Sequence, residues 1–236
     1  MTAGVRAVII LQARLGSHRL PGKVLATLGQ WPLAEYCIRR LVAAGAGPVV
    51  LATTTAPEDR AVLALGDALG VDTYAGPVED VLARYAHVVE RYRDAEYVLR
   101  ATADNPFVDL GTCGRILKAL SGGADYAVEE ALPLGTAVEG VRRDVLLQAH
   151  REATAAYDRE HVTPWVRRTE GVVRVTPLAP DDVRAPDLRL TVDTPEDLAF
   201  VRRLATALEP ESVDPRLAPL ADVIAAARRL APSEVA

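Results

Sequence analysis

A segment rich in positive charge follows the first apolar run of the sequence, residues 7–11. Residues 12–23 read Gln-Ala-Arg-Leu-Gly-Ser-His-Arg-Leu-Pro-Gly-Lys and bring Arg14, Arg19 and Lys23 close together. Small residues that let backbone N–H groups approach an anion lie between them: Gly16, Ser17 and Gly22. A Gly-Lys-Ser/Thr ending is missing, so this is not a P-loop. The pattern predicts a polyphosphate-binding loop; the alternative is a solvated surface loop with a Pro-Gly turn.

Two aspartates follow apolar runs that are typical of buried strands. Asp104 comes shortly after residues 97–99, and Asp193 ends the run 188–193. Magnesium in proteins is commonly bound by one or two carboxylates together with phosphate oxygens and water. The sequence therefore predicts that Asp104 and Asp193 form a magnesium site beside the cationic loop. The local alternatives are a helix cap for Asp193, which precedes Thr-Pro-Glu-Asp, and an ordinary turn residue for Asp104, which precedes Asn-Pro.

Short apolar strands alternate with helices along most of the chain. The predicted strands are residues 7–11, 49–52, 71–74, 97–99, 172–177 and 188–193. The predicted helices are residues 33–44, 57–69, 80–92, 109–120, one capped by Thr194, and 217–230. This alternation predicts an α/β fold with a mainly parallel sheet covered on both faces. Ligands of such sheets bind at the carboxyl ends of the strands, where the cationic loop, residues 53–55 and Asp104 should meet.

Residues 125–168 depart from this alternation. They predict a strand pair at 125–128 and 137–141, followed by helices at 144–155 and 159–168. Within a single domain of residues 1–236, we interpret the segment as an insertion that either covers the site as a lid or pairs with a second subunit. Some apolar residues of the insertion are predicted to need another surface that covers them, which favours a symmetric dimer; examples are Val138, Val141, Leu146 and Leu147.

Composition limits the classes of protein to which the chain can belong. The chain has 236 residues, is 50% hydrophobic and carries a net charge of -5, which argues against general nucleic-acid binding. The run at residues 7–11 is too short to cross a membrane, and no signal peptide is predicted. Cys37 and Cys113 fall in predicted helices far apart in sequence, which favours reduced core thiols and a cytoplasmic location.

Five segments of the sequence resemble a known family. They are Gln-Ala-Arg-x-x-Ser-x-Arg-Leu-Pro-Gly-Lys at 12–23, Gly-Pro-Val-Glu-Asp-Val-Leu-Ala-Arg-Tyr at 76–85, Ala-Asp-Asn-Pro at 103–106, Arg-Glu-His-Val-Thr-Pro at 159–164 and Thr-Val-Asp-Thr-Pro-Glu-Asp at 191–197. Their order and content resemble the cytidylyltransferases that include the CMP-Kdo and CMP-sialic acid synthetases. The branch that makes spore coat polysaccharide is the most similar.

The resemblance implies a Rossmann-like nucleotidyltransferase that binds CTP and Mg²⁺, forms a homodimer through the insertion and releases pyrophosphate. Its implied catalytic residues are Arg14, Lys23, Asp104 and Asp193, with the two aspartates as metal ligands. Its implied nucleotide-binding residues are Gln12, Ala13, Arg14, Gly16, Ser17, Arg19, Lys23, Thr53, Gly76, Asp80 and Arg84. Candidates for substrate binding are Arg100, Glu139 and His161, of which His161 could equally be structural.

The acceptor of the implied reaction is left open by the sequence, because residues 129–139 do not match the sugar-acid synthetases clearly. A small anionic or sugar-like molecule is expected. An ionised phosphate, phosphonate or carboxylate would attack CTP without a general base, whereas a sugar hydroxyl would require one. Two alternatives also stay open: a nucleotidyltransferase that uses another nucleoside triphosphate on a sugar phosphate, and a regulatory module that binds nucleotide without turnover.

Overall fold

The computed structural model of the chain describes residues 6–17, 19–211 and 214–230. Within these residues, seven strands form one sheet in the order β5-β4-β1-β6-β8-β7-β9. The strands are β1 (Ala7–Gln12), β4 (Val49–Thr54), β5 (Asp72–Gly76), β6 (Tyr97–Thr102), β7 (Tyr126–Val128), β8 (Glu139–Arg142) and β9 (Arg174–Val175). Strand β8 runs antiparallel to both of its neighbours, and the other pairings are parallel. Strands β2 (Thr27–Leu28) and β3 (Trp31–Pro32) form a separate small hairpin.

Helices cover both faces of the sheet. They are α1 (Leu33–Ala43), α2 (Arg60–Ala68), α3 (Val81–Arg91), α4 (Thr112–Ser121), α5 (Arg143–Glu152), α6 (Ala156–His161), α7 (Pro164–Arg168), α8 (Pro195–Leu208) and α9 (Leu220–Leu230). Alternate residues of β1 belong to different cores: Ile9 and Leu11 pack towards α1 and α8, whereas Val8 and Ile10 pack towards α3 and α5. Because both faces are buried, β1 is apolar throughout. The predicted mainly parallel α/β fold is confirmed.

The prediction of a strand at residues 188–193 is wrong. This segment is extended, and Leu190 N–H and Val192 N–H donate to the carbonyls of Leu134 and Asp104, both at 2.8 Å. These bonds reach residues beside the sheet and do not continue a ladder within it. An apolar extended segment in a buried groove has the same local pattern as a strand, so its sequence does not distinguish the two.

The predicted helix at residues 159–168 is interrupted. Val162, which is buried, has φ +71° and ψ -56°, and the N–H of Thr163 donates to the carbonyl of His161 at 2.8 Å. This is the geometry of a γ-turn, which a β-branched residue adopts only under strain. Helices α6 and α7 therefore replace one continuous helix. The strand predicted at residues 172–177 is shorter in the structure, where only β9 is a strand.

Residues 125–168 are integrated into the domain. Strands β7 and β8 form a pair, as predicted, and the structure shows that the pair is antiparallel. Strand β8 also pairs with β6 in the main sheet. Val138, Val141 and Leu146 are each 1% exposed, and the partly buried Leu147 packs against the core that contains Val141 and Leu146. The expectation of a further covering surface is therefore wrong for Val138, Val141 and Leu146, because helices and strands of the same chain cover them. The lid and the dimer stay predictions. None of the helices in the described part of the chain has the length and apolar character that a membrane crossing requires.

Both cysteines lie in the core as free thiols, on α1 and α4. Burial raises the pKa of Cys113 to about 12 and raises the pKa of Cys37 as well, so neither forms appreciable thiolate near neutral pH. We expect iodoacetamide at pH 8 to leave the folded protein unlabelled and to modify both cysteines after unfolding in urea. Mass spectrometry checks this expectation, and rapid modification of either thiol in the folded protein would contradict it.

Candidate active site

The carboxyl ends of β1 and β6 open into a cavity of about 710 Å³. Segments that are distant in sequence form its walls: the cationic loop, the start of α3, the end of α6 and the extended residues 189–193. Predicted site residues that line it are Gln12, Ala13, Arg14, Ser17, Arg19, Lys23, Arg84, Arg100, Asp104, His161 and Asp193. The sheet and the extended segment beside it thus bring together the cationic loop and both predicted metal-binding aspartates.

Lys23 lies at the centre of this arrangement. Its ammonium group donates to Asp104 Oδ2 at 3.1 Å, to Asp193 Oδ1 at 3.0 Å and to the carbonyl of Val192 at 2.8 Å. Its side chain is only 10% exposed. An ammonium group has three N–H donors, so these contacts use all of them. Lys23 therefore acts as an internal counter-ion for the two aspartates, and contact with a phosphate would require it to release an acceptor.

The second oxygen of each aspartate is bound by a neighbouring side chain. Thr102 donates its hydroxyl to Asp104 Oδ1 at 2.5 Å and accepts a bond from the Asn105 amide at 2.9 Å. Arg189 donates to Asp193 Oδ2 at 2.7 Å. Burial by itself would raise the pKa of Asp193, but the bonds from Lys23 and Arg189 and the charge of Arg19 outweigh it and lower the pKa. Both carboxylates are thus oriented and the Asp193 carboxylate is held in its ionised form.

The helix cap next to Asp193 is formed by a different residue. Thr194 accepts the N–H of Asp197 at 3.2 Å, and Asp197 in turn accepts the N–H of Thr194 at 3.0 Å, which makes a complete capping box for α8. The predicted cap by Thr194 is therefore confirmed. Because this pair satisfies the start of the helix, the Asp193 carboxylate is available to the cavity.

A buried carboxylate anchors the cationic loop. Asp59, which is 1% exposed, accepts the N–H of Leu15 at 2.8 Å and both the N–H and the hydroxyl of Thr54 at the end of β4. Gly22 has φ +73° immediately before Lys23, a conformation that glycine adopts without strain. The loop is therefore fixed to β4 at one point and turned by Gly22 at another. Sequence analysis did not identify Asp59 as part of the site, because Pro57-Glu58-Asp59 matches an ordinary helix start.

Asp59→Ala should destabilise the protein by about 3 kcal/mol, because two backbone N–H groups and a hydroxyl lose a buried acceptor. The freed loop should also bind CTP more weakly. Urea unfolding measures the first effect and calorimetric titration the second. Glu58→Ala is the matched control, since its side chain is exposed in the same turn. Equal stability of the two variants would exclude Asp59 as the anchor.

Arg84 contributes a buried cation to the cavity wall. It is 2% exposed and donates to the carbonyls of Pro77 and Val78 at 2.6 and 3.1 Å, while its Nε has no partner in the described part of the chain. Burial lowers its pKa from the usual arginine value. Arg84 therefore fastens residues 77–78 beside the cavity and adds positive charge there.

Five predicted residues do not line the cavity: Gly16, Thr53, Gly76, Asp80 and Glu139. Asp80 caps α3 by accepting the N–H of Ala83 at 2.8 Å, and it also binds Arg159. Thr53 is fully buried in β4, and Gly76 ends β5, where a Cβ would lie 2.7 Å from the Tyr74 ring. Open space surrounds Gly16. Binding roles for these residues stay predictions.

Glu139 supports the cavity from behind. It pairs with Arg100 at 2.5 Å and accepts the hydroxyls of Tyr126 at 2.6 Å and Thr163 at 3.0 Å. Arg100 lines the cavity, and the Thr163 contact joins Glu139 to the turn after His161. Glu139 thus links two candidate substrate-binding positions, Arg100 on β6 and the turn that follows His161 of α6.

Sequence analysis missed several residues that line the cavity: Val24, Val81, Thr102, Ala103, Asn105, Leu134, Gly135, Glu160, Arg189 and Thr191. Thr102 and Asn105 flank Asp104, and Arg189 lies four residues before Asp193. Their proximity in sequence to the predicted aspartates was the signal that could have identified them. Leu134 and Gly135 carry no such signal, because only the folded chain brings them next to Thr191.

The two carboxylates that contact Lys23 match the ligand preference of magnesium. Asp104 Oδ2 and Asp193 Oδ1 both reach the same lysine nitrogen, so both can reach one cation beside the cationic loop. The described residues contain no group of three or more His, Cys, Asp or Glu that could hold a metal by themselves. Magnesium does not need such a group when substrate phosphates and water complete its octahedral shell.

The fold and this site define a nucleotidyltransferase. A family model described as cytidylyltransferase matches residues 8–214, and the chain belongs to that family. It is 35% identical over 84% of its length to the spore coat polysaccharide biosynthesis protein SpsF of Bacillus subtilis, of which 85% is covered. It is also 32% identical over 68% of its length to the 3-deoxy-manno-octulosonate cytidylyltransferase of Methylococcus capsulatus, of which 63% is covered.

The fold has a close counterpart among solved structures. A cytidylyltransferase from Leptospira borgpetersenii superposes with a TM-score of 0.84 at 22% identity, covering 95% of this chain and 94% of that chain. This similarity supports the predicted fold. The family model and the sequence relatives confirm the family and the class of enzyme predicted from the sequence.

Proposed function

We propose that the protein transfers CMP from CTP to a small anionic or sugar-like acceptor, with magnesium as cofactor and pyrophosphate as the other product. The observation that carries the proposal is the convergence of Asp104 and Asp193 on the Nζ atom of Lys23, within a cavity that Arg14 and Arg19 also line. Polyphosphate and a divalent cation are the ligands that match a cationic loop facing two carboxylates.

The residues of the chain would act mainly by position and charge. Arg14 and Arg19 are partly exposed and line the cavity, so they can bind the triphosphate. Asp104 and Asp193 would hold magnesium, which neutralises charge on the phosphate oxygens when bound. Lys23 would then shift from the carboxylates towards the phosphates. An acceptor oxygen attacks the α-phosphorus, the bond to the bridging oxygen breaks, and pyrophosphate leaves with that electron pair.

The names of the relatives suggest two types of acceptor, a sugar acid and a precursor of a polysaccharide. Arg100 and His161 lie on the cavity wall and are our candidates for acceptor binding. Glu139 already compensates the charge of Arg100. His161 and the exposed Leu134 are therefore the wall residues more readily available to contact an acceptor. An ionised acceptor would react here without a general base.

A homodimer and a cytoplasmic location belong to the same proposal. Most of the apolar residues that first suggested a dimer are covered, but Tyr157 within the insertion is 64% exposed. Val175 in β9, at the edge of the sheet, and Val173 just before that strand are also exposed. We expect a dimer by light scattering at micromolar concentration, and dissociation in Val175→Arg if the β9 edge is the contact. A monomeric wild-type protein would contradict the dimer and favour the lid.

Calorimetric titration with CTP, UTP, ATP and GTP in the presence of Mg²⁺ tests the nucleotide. Pyrophosphate release is then measured with CTP and a sugar acid, a sugar phosphate or a phosphonate as acceptor. We expect preferential CTP binding and pyrophosphate release with one acceptor class. Preference for another triphosphate would support the alternative nucleotidyltransferase, and CTP binding without turnover on any acceptor would support the regulatory module.

A further inference from the structure

We infer that Arg189 is a positioning residue that fixes the orientation of the Asp193 carboxylate by tying it to the cap of α8. The structural part of the inference depends only on the contacts of Arg189. Its consequence for catalysis rests on the proposed function. Arg189 was not among the residues that sequence analysis identified.

The guanidinium of Arg189 bridges two carboxylates. One terminal nitrogen donates to Asp193 Oδ2 at 2.7 Å and to Asp197 Oδ2 at 3.3 Å, while Nε donates to Asp197 Oδ1 at 3.1 Å. Asp197 is itself immobilised, because it accepts the N–H groups of Asp193 and Thr194 at 2.9 and 3.0 Å. The Asp193 side chain is thereby fastened to the first turn of a long helix.

Because of this contact, the two oxygens of Asp193 have different partners. Oδ2 faces Arg189, while Oδ1 accepts from Lys23 at 3.0 Å and pairs with Arg19 at 3.0 Å. A carboxylate that is bound on one oxygen only can rotate about its side-chain bonds, and a ligand site displaced in this way loses affinity for its metal. Arg189 therefore leaves Oδ1 directed at the point where Lys23 or a cation lies.

The backbone around Asp193 makes such a contact necessary. The segment is not part of the sheet, and its backbone is held only by single bonds such as those from Val192 N–H to the Asp104 carbonyl and from Asp193 N–H to Asp197. No strand ladder on either side restrains the Asp193 side chain within the described residues. The bridge from Arg189 to Asp197 supplies this restraint from the helix.

The planar guanidinium is essential to the geometry. Its fork engages Asp197 through two nitrogens while it also reaches Asp193, whereas a lysine at this position would keep the charge and lose the fork. The Arg189 side chain is 42% exposed, so its replacement removes little packing. Substitution at this position can therefore change the site without unfolding the protein.

The test compares Arg189→Gln and Arg189→Lys with wild type. Arg228→Gln is the matched control, because this arginine is exposed on α9 and lies 3.7 Å from Asp187, outside the cavity lining. Crystal structures of all four proteins give the separation between Asp193 Oδ1 and Lys23 Nζ. We expect the 3.0 Å contact to persist in wild type and the control and to be lost in both Arg189 variants.

Mg²⁺ titration of pyrophosphate release gives the functional outcome. We expect the Mg²⁺ concentration for half-maximal rate to rise about tenfold or more in both Arg189 variants, as for other residues that orient metal ligands. The midpoint of thermal unfolding should change little, which separates positioning from general destabilisation. Full recovery by Arg189→Lys would show that charge alone matters and would overturn the inference.

The two proposals fail in different ways. If wild type releases no pyrophosphate under any condition, the proposed function fails, and the crystal structures still decide whether Arg189 positions Asp193. If wild type is active and Asp193 keeps its place in Arg189→Gln, the positioning role is wrong while the proposed function stands.

Discussion

Lys23→Met is expected to lower the rate of pyrophosphate release about 100- to 1,000-fold at saturating CTP and Mg²⁺. Loss of one preorganised donor that faces developing charge has an effect of this size in other enzymes. The expectation follows from the position of Lys23 between the two aspartates, in the cavity that Arg14 and Arg19 also line. Lys118→Met is the natural control, because Lys118 is exposed on α4. An unchanged rate in Lys23→Met would remove Lys23 from the catalytic residues.

Stability should change as well, in a way that depends on magnesium. Removal of Lys23 leaves two carboxylates facing each other without their cation. We expect Mg²⁺ alone to raise the unfolding temperature of Lys23→Met and to leave that of wild type nearly unchanged. If Mg²⁺ stabilises both proteins equally, Lys23 does not serve as the internal counter-ion.

Asp104→Asn and Asp193→Asn should each lower turnover by at least about 100-fold, because one missing carboxylate already misplaces the cation. The double variant should be scarcely slower than the slower single variant, as for residues that act as a unit. CTP binding in the absence of metal should persist, since Arg14, Arg19 and Lys23 are unchanged. Rates of magnesium-dependent pyrophosphate release and calorimetric titration with CTP check these expectations.

Asp187→Asn provides the control for the aspartate series, because Asp187 is an exposed acid a few residues before Asp193. It should have wild-type activity. Multiplicative losses in the double variant would show that Asp104 and Asp193 act independently. Full activity in Asp193→Asn would exclude Asp193 from the metal site.

Local sequence patterns determined the elements of the fold. The continuous apolar run of β1 reflects burial on both faces, and the Thr194-Pro195-Glu196-Asp197 sequence contains every group that its capping box uses. These features depend on residues that are neighbours along the chain. The position of the cationic loop also followed from the sequence, because the segment after a first parallel strand lies at the carboxyl edge of the sheet.

Tertiary structure decided how the site is assembled. Lys23 meets Val192 and Asp193 across 169 and 170 residues of sequence, and Leu15 meets Asp59 across 44. Long-range contacts of this kind leave no periodic trace in the sequence. The extended residues 188–193 have the apolar pattern of a strand, yet they bond to Leu134 and Asp104 beside the sheet, since a buried groove and a sheet favour the same side chains.

Coverage of the insertion also depended on the whole fold. The apolar spacing of Val138, Val141 and Leu146 indicated burial correctly, but only the packed helices and strands show that the same chain supplies the covering surface. A hydrophobic pattern records that a side chain leaves water and carries no information about which surface receives it. The sequence by itself therefore determined most of the strands, the cap of α8 and the cationic loop, whereas tertiary packing decided which distant residues meet them.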